Sequence, residues 1–311
     1  MSERYPLKNT DLEIFPVVLG SVSAGNEIDD KLTDKIIGKY LDLGGNVLDS
    51  ARMYVHGESE KMLGRWFRSS GKRNDMVLIT KGGHPRVETM HTGRMTEADM
   101  RSDIEESLRA LQTDYIDLYF FHRDDLNQPV GESLEIMEKF VREGKIRYYG
   151  CSNWSAARIR ESFAYAGEHG LRGFAANQML FNIASEHMKP FPDDTMAAMD
   201  ADMMQVHREF PILSMPYFGV CSGFFYILKA RGEDAVRNSP YYTPENLKIA
   251  KRVFELADAY NTNITTVLLR FFFAQDFANC PLYGPTMPAQ LDDLNGFFDV
   301  PFKRSDFCFE N

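Results

Sequence analysis

The chain has 311 residues, 44% hydrophobic and 26% charged, a composition typical of a globular protein with a sizeable core. Its 45 acidic and 35 basic residues give a formal net charge of −10, which argues against general binding to nucleic acid or anionic membranes. The N-terminus lacks the apolar run of a signal peptide, and no stretch reaches the roughly 18 apolar residues of a membrane span, so we expect neither.

Short β-type runs alternate with helix-type segments along the chain, which predicts a parallel sheet with crossover helices. Eight is the number of strands that a closed (β/α)8 barrel requires, and the length suits one barrel with insertions. We therefore expect an α/β fold with one TIM-barrel domain over 1–311, comprising a core at about 15–300 and a C-terminal tail at 301–311. The eight candidate strands are 17–19, 46–48, 77–80, 116–121, 148–151, 175–177, 212–214 and 281–283.

Several helices have recognisable boundary signals. From Asp30, apolar residues recur at helical spacing until a Gly-Gly pair ends the segment. Thr96 and Thr243 each precede a helical segment and are predicted N-caps, the second followed by proline at the first helical position. Residues 185–210 show no clear period, so we expect a loop with short helices over one mouth of the barrel.

The four cysteines suggest neither a metal site nor a disulfide framework. Cys151, Cys221, Cys280 and Cys308 are too far apart for a CxxC motif, and none has a histidine at metal-ligand spacing. We expect free thiols packed in a protein of the reducing cytoplasm.

Polar side chains follow several of the apolar runs at the point where each run ends. In a (β/α)8 barrel these strand ends converge on a single mouth, where the active site lies. Each residue alone has a structural explanation, such as capping the next helix or remaining solvated. Their joint occurrence on successive strands indicates a functional site. The residues are Asp49, Lys81, His122, Ser152, Asn153 and Gln178.

The residue types at these strand ends suit proton exchange with a carbonyl or hydroxyl oxygen. A free tyrosine has a pKa near ~10, and a neighbouring ammonium such as Lys81 would favour the phenolate and lower that pKa. A carboxylate such as Asp49 would keep the ammonium charged, and an imidazole such as His122 can orient a substrate oxygen. Because the set includes no nucleophile or metal cage, the electrons must come from a bound cofactor.

Several segments resemble those of the aldo-keto reductase superfamily, and they follow one another in the family's order from about Leu19 to Asp299. The first of them, GGNVLDSARMY, ends at Tyr54, five residues after Asp49. In chain order the similar segments are 44–54, 57–64, 78–83, 114–125, 144–154 and 177–178.

The resemblance implies a barrel that binds a nicotinamide cofactor extended across its mouth, without a Rossmann unit, and that acts on a small-molecule carbonyl or alcohol. Consistent with this, the chain has no GxGxxG motif after a strand. The family's catalytic residues correspond to Asp49, Tyr54, Lys81 and His122. Its ligands of the nicotinamide carboxamide correspond to Ser152, Asn153 and Gln178.

Two loops would complete the cofactor site. The loop with Tyr217 and Gly219 is similar to one in which a tyrosine stacks on the nicotinamide ring, and the alternative for Tyr217 is a core tyrosine beside a proline turn. The loop after the last strand is similar to the family's segment for the adenosine end. Its candidate contacts are Gly284, Thr286, Gln290 and Asp293.

The adenosine loop departs from the family pattern. Members that prefer NADP usually place Arg or Lys there to pair with the 2′-phosphate. This chain has no Lys or Arg between Arg270 and Lys303 and carries Asp292 and Asp293 instead. The resemblance implies NADP(H), while this departure favours use of NAD(H) as well. A helix N-terminus in the loop, or a basic residue such as Lys229, is an alternative phosphate partner.

The prediction is therefore a cytoplasmic oxidoreductase that interconverts an aldehyde, ketone or sugar with its alcohol, with Tyr54 as general acid and base. The substrate pocket is expected to include the loop after Tyr54, residues 84–95, Trp154 and residues 185–210. One alternative is a regulatory or sensor subunit that binds the cofactor with little turnover, and another is a metal-dependent hydrolase or aldolase. The substrate, the direction and the choice between monomer and homo-oligomer stay open.

Overall fold

A computed structural model describes residues 4–308 of the chain. Its β-strands are β1 (Tyr5–Pro6), β2 (Glu13–Ile14), β3 (Val18–Gly20), β4 (Val47–Asp49), β5 (Val77–Gly82), β6 (Ile116–Phe121), β7 (Ile146–Ser152), β8 (Ala176–Gln178), β9 (Leu213–Ser214) and β10 (Leu282–Tyr283). Its α-helices are α1 (Asp30–Asp42), α2 (Glu58–Ser70), α3 (Glu97–Leu111), α4 (Val130–Arg142), α5 (Ala156–His169), α6 (Ala201–Glu209), α7 (Phe224–Arg231), α8 (Pro244–Ala259) and α9 (Ile264–Phe273).

Strands β3 to β10 form one parallel sheet in the order β10-β3-β4-β5-β6-β7-β8-β9. β10 pairs with β3, so that Leu282 lies opposite Val18. The segment leading into β10 also bonds to β9 and the residues after it, because the Cys280 N–H donates to the Ser214 carbonyl oxygen and the Leu282 N–H to that of Pro216, both at 2.8 Å. The sheet therefore closes, and the predicted (β/α)8 barrel is confirmed.

All eight predicted barrel strands are present, with ends shifted by at most two residues. The sequence analysis missed the antiparallel hairpin of β1 and β2. Its apolar side chains Leu7, Leu12 and Ile14 are buried in one cluster with Val47 and Val77, the first residues of β4 and β5. The hairpin therefore covers the amino-terminal end of the barrel, opposite the mouth that the carboxyl ends of the strands form.

The helix boundaries follow the predicted capping signals. Thr96 Oγ1 accepts from the N–H of the third residue on, and Thr243 Oγ1 does the same at the start of α8. The N-cap of α1 is Asp29, one residue before the predicted start. Residues 185–210 contain a short 3-10 turn and α6, as expected of a loop with short helices.

The C-terminal residues pack on the outer helices α8 and α9. Phe307 is buried in a cluster with side chains of both helices. The division into core and tail stays a prediction, and residues 309–311 of the predicted tail lie outside the described residues. Within residues 4–308, no helix is long and apolar enough to cross a membrane.

The cysteines are free thiols, as expected, but only three of them are packed inside the protein. Cys151, Cys221 and Cys280 are buried, whereas Cys308 is exposed. The expectation that all four are buried was therefore wrong for Cys308, which lies in the segment after the last barrel helix.

Gly64 lies in α2 where this helix meets α3, and a Cβ there would overlap the carbonyl oxygen of Ala110. We expect Gly64→Ala to lower the free energy of unfolding by about 1–3 kcal/mol, because the helices would have to move apart. Gly38 in α1 is a matched control with nothing within 4 Å of its Cβ position, so Gly38→Ala should stabilise by up to about 1 kcal/mol. Urea unfolding measures both, and a Gly64→Ala protein with an unchanged free energy of unfolding would contradict the close approach.

Candidate active site

Asp49, Lys81 and Tyr54 form a hydrogen-bonded chain at the mouth of the barrel. Asp49 ends β4 and Lys81 lies near the end of β5, and both side chains are 1% exposed. Lys81 Nζ donates to Asp49 Oδ1 at 2.7 Å and to the Ser50 carbonyl oxygen at 2.7 Å. It also donates to the hydroxyl oxygen of Tyr54 at 3.2 Å. Three acceptors match the three N–H groups of an ammonium, so the charge is held in place.

The backbone after Tyr54 is strained. Tyr54 begins a 3-10 turn that ends at Gly57 and leads into α2. Val55 and His56 have φ angles of 48° and 54°, in the left-handed region that L-residues rarely adopt. Such strain persists only where the surrounding structure holds it, and it is concentrated at functional sites. The turn places the Tyr54 hydroxyl beside Lys81.

Burial controls the protonation of the three hydrogen-bonded side chains. It raises the pKa of Tyr54 above its ordinary value, and the Lys81 ammonium opposes that shift without reversing it. Burial would lower the pKa of Lys81, but Asp49 and Tyr54 outweigh it and the pKa is raised. The prediction of a net lowered pKa for Tyr54 was therefore wrong. At neutral pH the site holds a neutral phenol beside a charged ammonium.

His122 follows β6 directly, and its ring lies beside that of Tyr54. The backbone N–H of His122 donates to the Gly82 carbonyl oxygen at 2.8 Å, and the ring centroid of His122 is 5.8 Å from that of Tyr54. Burial and the Lys81 charge lower the pKa of His122 well below its ordinary value, so the ring is neutral. Nδ1 is enclosed without a partner among the described residues. Because buried N–H groups without an acceptor are rare, we place the ring proton on Nε2.

Gln178 and Ser152 contact the same mouth from the ends of β8 and β7, where they lie opposite each other in register. Gln178 Nε2 donates to Asp49 Oδ2 at 2.7 Å, so the Asp49 carboxylate is bound on both oxygens. The Ser152 hydroxyl oxygen accepts from Asn153 at 2.9 Å. These bonds leave the Gln178 Oε1 acceptor and the Ser152 hydroxyl proton for other partners.

Asn153 is the centre of a network behind His122. Its Nδ2 donates to the His122 carbonyl oxygen at 3.2 Å. Its Oδ1 accepts from the Tyr217 hydroxyl at 2.6 Å and from the Ala197 N–H at 3.0 Å. Asn153 therefore holds neighbouring loops, which the sequence analysis did not foresee. Tyr217 is partly exposed at this mouth, which disfavours the alternative of a core tyrosine.

Gly219 lies where two backbone segments approach closely, whereas Gly284 makes an ordinary contact with the neighbouring segment. A Cβ on Gly219 would be 3.3 Å from the Leu282 carbonyl oxygen, and one on Gly284 would be 3.8 Å from that of Gly20. Gly20 lies opposite Asp49 in the register of β3 and β4. The loop after β10 therefore begins at the rim that carries Asp49.

The rest of this loop contains the expected helix, which is a 3-10 helix, Pro288–Leu294. Gln290 Oε1 accepts from the Thr286 N–H at 2.7 Å and from the Met287 N–H at 3.0 Å. Two backbone N–H groups just before this helix are therefore occupied by a side chain of the same loop and are not available to a phosphate.

The charged residues of this loop are paired within the protein. Asp293 Oδ2 accepts from the hydroxyls of Tyr226 at 2.8 Å and Thr265 at 2.6 Å. Asp292 lies 2.5 Å from Lys39 of α1, a basic residue that sequence reasoning missed because α1 is distant in the chain. Lys229, the other proposed phosphate partner, instead lies 3.8 Å from Asp258.

Arg123 is a further residue of the mouth to which sequence reasoning gave no role. Its guanidinium donates to the carbonyl oxygen of His122 at 3.0 Å, to Asp193 Oδ2 at 2.7 Å and to Thr195 Oγ1 at 2.9 Å. The Arg123 side chain is 10% exposed. Because Asp193 and Thr195 belong to residues 185–210, these bonds fix that segment at the mouth, in the expected place.

Two residues expected to line the substrate pocket lie in different places. Trp154 is fully buried, stacked on Phe121 with ring centroids 5.6 Å apart and packed against Phe174, so its assignment to the pocket was wrong. His84 lies beside His122, with ring centroids 4.8 Å apart. Trp154 is therefore part of the core, and His84 is part of the mouth.

The mouth thus combines a neutral phenol, a charged ammonium held by a carboxylate, and a neutral imidazole, which together can give a proton to an oxygen atom or remove one.

Comparison with known proteins agrees with this chemistry. The family model described as Aldo/keto reductase family matches residues 16–308. Similar curated proteins are an aryl-alcohol dehydrogenase of Pestalotiopsis microspora (25% identical, over 91% of this chain and 74% of that protein), norsolorinic acid reductase B of Aspergillus parasiticus (33%, over 57% and 50%) and the aldo-keto reductase YhdN of Bacillus subtilis (26%, over 93% and 86%). The resemblance seen in the sequence is confirmed, and the chain belongs to the aldo/keto reductase family.

Proposed function

We propose that this chain transfers a hydride between NAD(P)H and a carbonyl–alcohol pair, with Tyr54 as general acid and base. The observation that carries the proposal is the bond from Lys81 Nζ to the Tyr54 hydroxyl in a chain that continues to Asp49. Buried ionised groups next to a titratable hydroxyl are costly and are concentrated at functional sites. Family membership, with oxidoreductases among the relatives, supports the same chemistry.

The strand ends offer groups that fit a nicotinamide. When bound, the cofactor supplies or accepts the hydride. The Ser152 hydroxyl can donate to a carboxamide oxygen, and Gln178 Oε1 can accept from a carboxamide nitrogen. Asn153 uses both ends of its amide within the protein, so we assign it mainly to positioning the loops behind His122. Tyr217, held by Asn153, would present its ring to the same space.

In the reductive direction, the substrate oxygen lies between Tyr54 and His122. Tyr54 donates its proton to that oxygen as the carbonyl carbon is reduced, and the Lys81 ammonium stabilises the phenolate that remains. His122 donates from Nε2 to the same oxygen and orients it. In the oxidative direction, the Tyr54 phenolate accepts the proton of the alcohol.

We expect NADH to serve as well as NADPH, or better, because the adenosine loop itself carries no Lys or Arg between Arg270 and Lys303. Asp292 neutralises Lys39, and Asp293 adds a carboxylate bonded to neutral hydroxyls. The measurement is kcat/KM for both reduced cofactors with one substrate. A preference for NADPH above about 100-fold, or about 2.7 kcal/mol, would contradict this prediction. Loss of such a preference in Lys39→Met would then identify Lys39 as the phosphate partner.

Single-turnover oxidation of bound NADH or NADPH by a panel of aldehydes and ketones tests the proposed function. Aromatic aldehydes are the first choice, since one relative is named an aryl-alcohol dehydrogenase. We expect at least one class to oxidise the cofactor. Cofactor binding without oxidation by any carbonyl would favour the alternative of a regulatory subunit. The metal-dependent hydrolase or aldolase considered from the sequence gains no support from the family membership.

A further inference from the structure

His84 is a neighbour of His122 to which the proposed mechanism assigns no role. It follows the strand that carries Lys81, and its ring makes an edge contact with the His122 ring at a centroid distance of 4.8 Å and an angle of 72°. The His122 ring in turn lies 5.8 Å from Tyr54. His84 therefore lies beside one of the two residues proposed to hold the carbonyl oxygen.

The backbone of His84 is firmly held. The N–H of Gly83 donates to Asp103 Oδ2 at 2.8 Å. Arg94 donates to the His84 carbonyl oxygen and to Asp103 Oδ1, both at 3.0 Å. His84 is 8% exposed. A polar group fixed in this way is preorganised, which is what a specificity contact requires.

Geometry also decides the tautomer of His84. Its Nδ1 lies 2.6 Å from the Pro85 carbonyl oxygen, which can only accept a hydrogen bond, so Nδ1 carries the proton. Burial, together with the charges of Arg123 and Arg94, lowers the pKa of His84 below its ordinary value although Asp193 opposes them, so the ring is neutral. Nε2 then has a lone pair. It has no hydrogen-bond partner among the described residues and is not enclosed.

The mouth consequently offers two kinds of polar group side by side. Tyr54 and His122 can donate to a carbonyl oxygen, whereas His84 can only accept. Arg123 does not donate to this lone pair in the described structure, since its hydrogen bonds go to the His122 carbonyl oxygen, Asp193 and Thr195. A carbonyl compound without a second polar hydrogen would leave the His84 acceptor unpaired in a partly desolvated site, which is unfavourable.

We propose that His84 is a specificity-determining residue that accepts a hydrogen bond from a hydroxyl group of the substrate, and that the preferred substrates are carbonyl compounds with a hydroxyl on the carbon next to the carbonyl. This inference rests on the proposed function, since it assumes that the carbonyl oxygen lies at Tyr54 and His122. The site would then form hydrogen bonds with both oxygens of an α-hydroxy aldehyde or ketone.

The test compares glycolaldehyde with propanal, in which a methyl group replaces the hydroxyl. We expect the parent protein to favour glycolaldehyde in kcat/KM by about tenfold or more. His84→Phe keeps a ring against His122 and removes the acceptor, so the ratio of the two kcat/KM values should fall about tenfold. A change that affects both aldehydes equally does not alter this ratio. His84→Gln keeps an acceptor and should retain part of the ratio. His169→Phe, at the exposed end of α5, is the control and should leave the ratio unchanged.

An equal loss with both aldehydes in His84→Phe would mean that His84 only supports His122, and the inference would be wrong. A ratio near one in the parent protein would overturn it as well. Benzaldehyde separates these results from the proposed function. If the parent protein reduces benzaldehyde and shows no preference for glycolaldehyde, only the inference fails. If neither these three aldehydes nor any other aldehyde or ketone of the panel oxidises the bound cofactor, both fail.

Discussion

Replacing Tyr54 by Phe is expected to lower kcat by about 10²–10⁴-fold, the usual contribution of a positioned general acid. The substitution removes one hydroxyl and its bond to Lys81 Nζ, and leaves the bonds from Lys81 to Asp49 and Ser50 in place. Cofactor affinity should change little, because the groups assigned to the nicotinamide lie on β7, on β8 and in the loop with Tyr217. Steady-state kinetics and a fluorescence titration with reduced cofactor measure the two quantities.

The pH profile gives a second readout for Tyr54. Because burial raises the pKa of Tyr54, the phenol is protonated at neutral pH and ready to donate. Reduction should therefore be flat around neutral pH and decline only at high pH, whereas alcohol oxidation should rise with pH as the phenolate forms. Tyr54→Phe should lack this rise. Tyr115→Phe is a matched control, since the Tyr115 hydroxyl bonds to Asn74 at the surface. Full turnover in Tyr54→Phe would refute the assigned role.

The barrel and the residues at its strand ends could be predicted because both depend on local patterns. A strand such as β6, buried on both faces, reads as a continuous apolar run. In a barrel the polar residue that ends each run must point to the common mouth. The hairpin of β1 and β2 escaped the same reasoning, because two-residue strands show no periodicity.

Partners that lie far apart in the chain could not be predicted in this way. Arg123 and Asp193, or Lys39 and Asp292, meet only because the loops adopt particular conformations. The pKa of Tyr54 shows a related limit. The sequence indicated the neighbouring ammonium, but the sign of the net shift depends on how completely the hydroxyl is removed from water. Burial of that kind is a property of the packed fold and has no local signal.

Replacing Asp49 by Asn should be the most destabilising of the substitutions considered. Lys81 and Asp49 are each 1% exposed, and removing one charge of such a pair leaves the other buried and unpaired. We expect a loss of about 3–5 kcal/mol in the free energy of unfolding, together with a strong loss of kcat. Urea unfolding measures the first. As a control, Asp234→Asn breaks a pair with Arg237 at 85% and 67% exposure and should cost less than about 1 kcal/mol.

The double variant Asp49→Leu with Lys81→Met separates stability from chemistry. Replacing a buried ion pair by apolar side chains of similar size is often neutral or stabilising, so this protein should recover most of the stability that Asp49→Asn loses. The hydrogen bond from Gln178 to Asp49 limits the recovery, because its Nε2 loses an acceptor. Turnover should stay as low as in the single variant, since no ammonium remains beside Tyr54. A double variant that regains both stability and turnover would show that the buried pair serves packing alone.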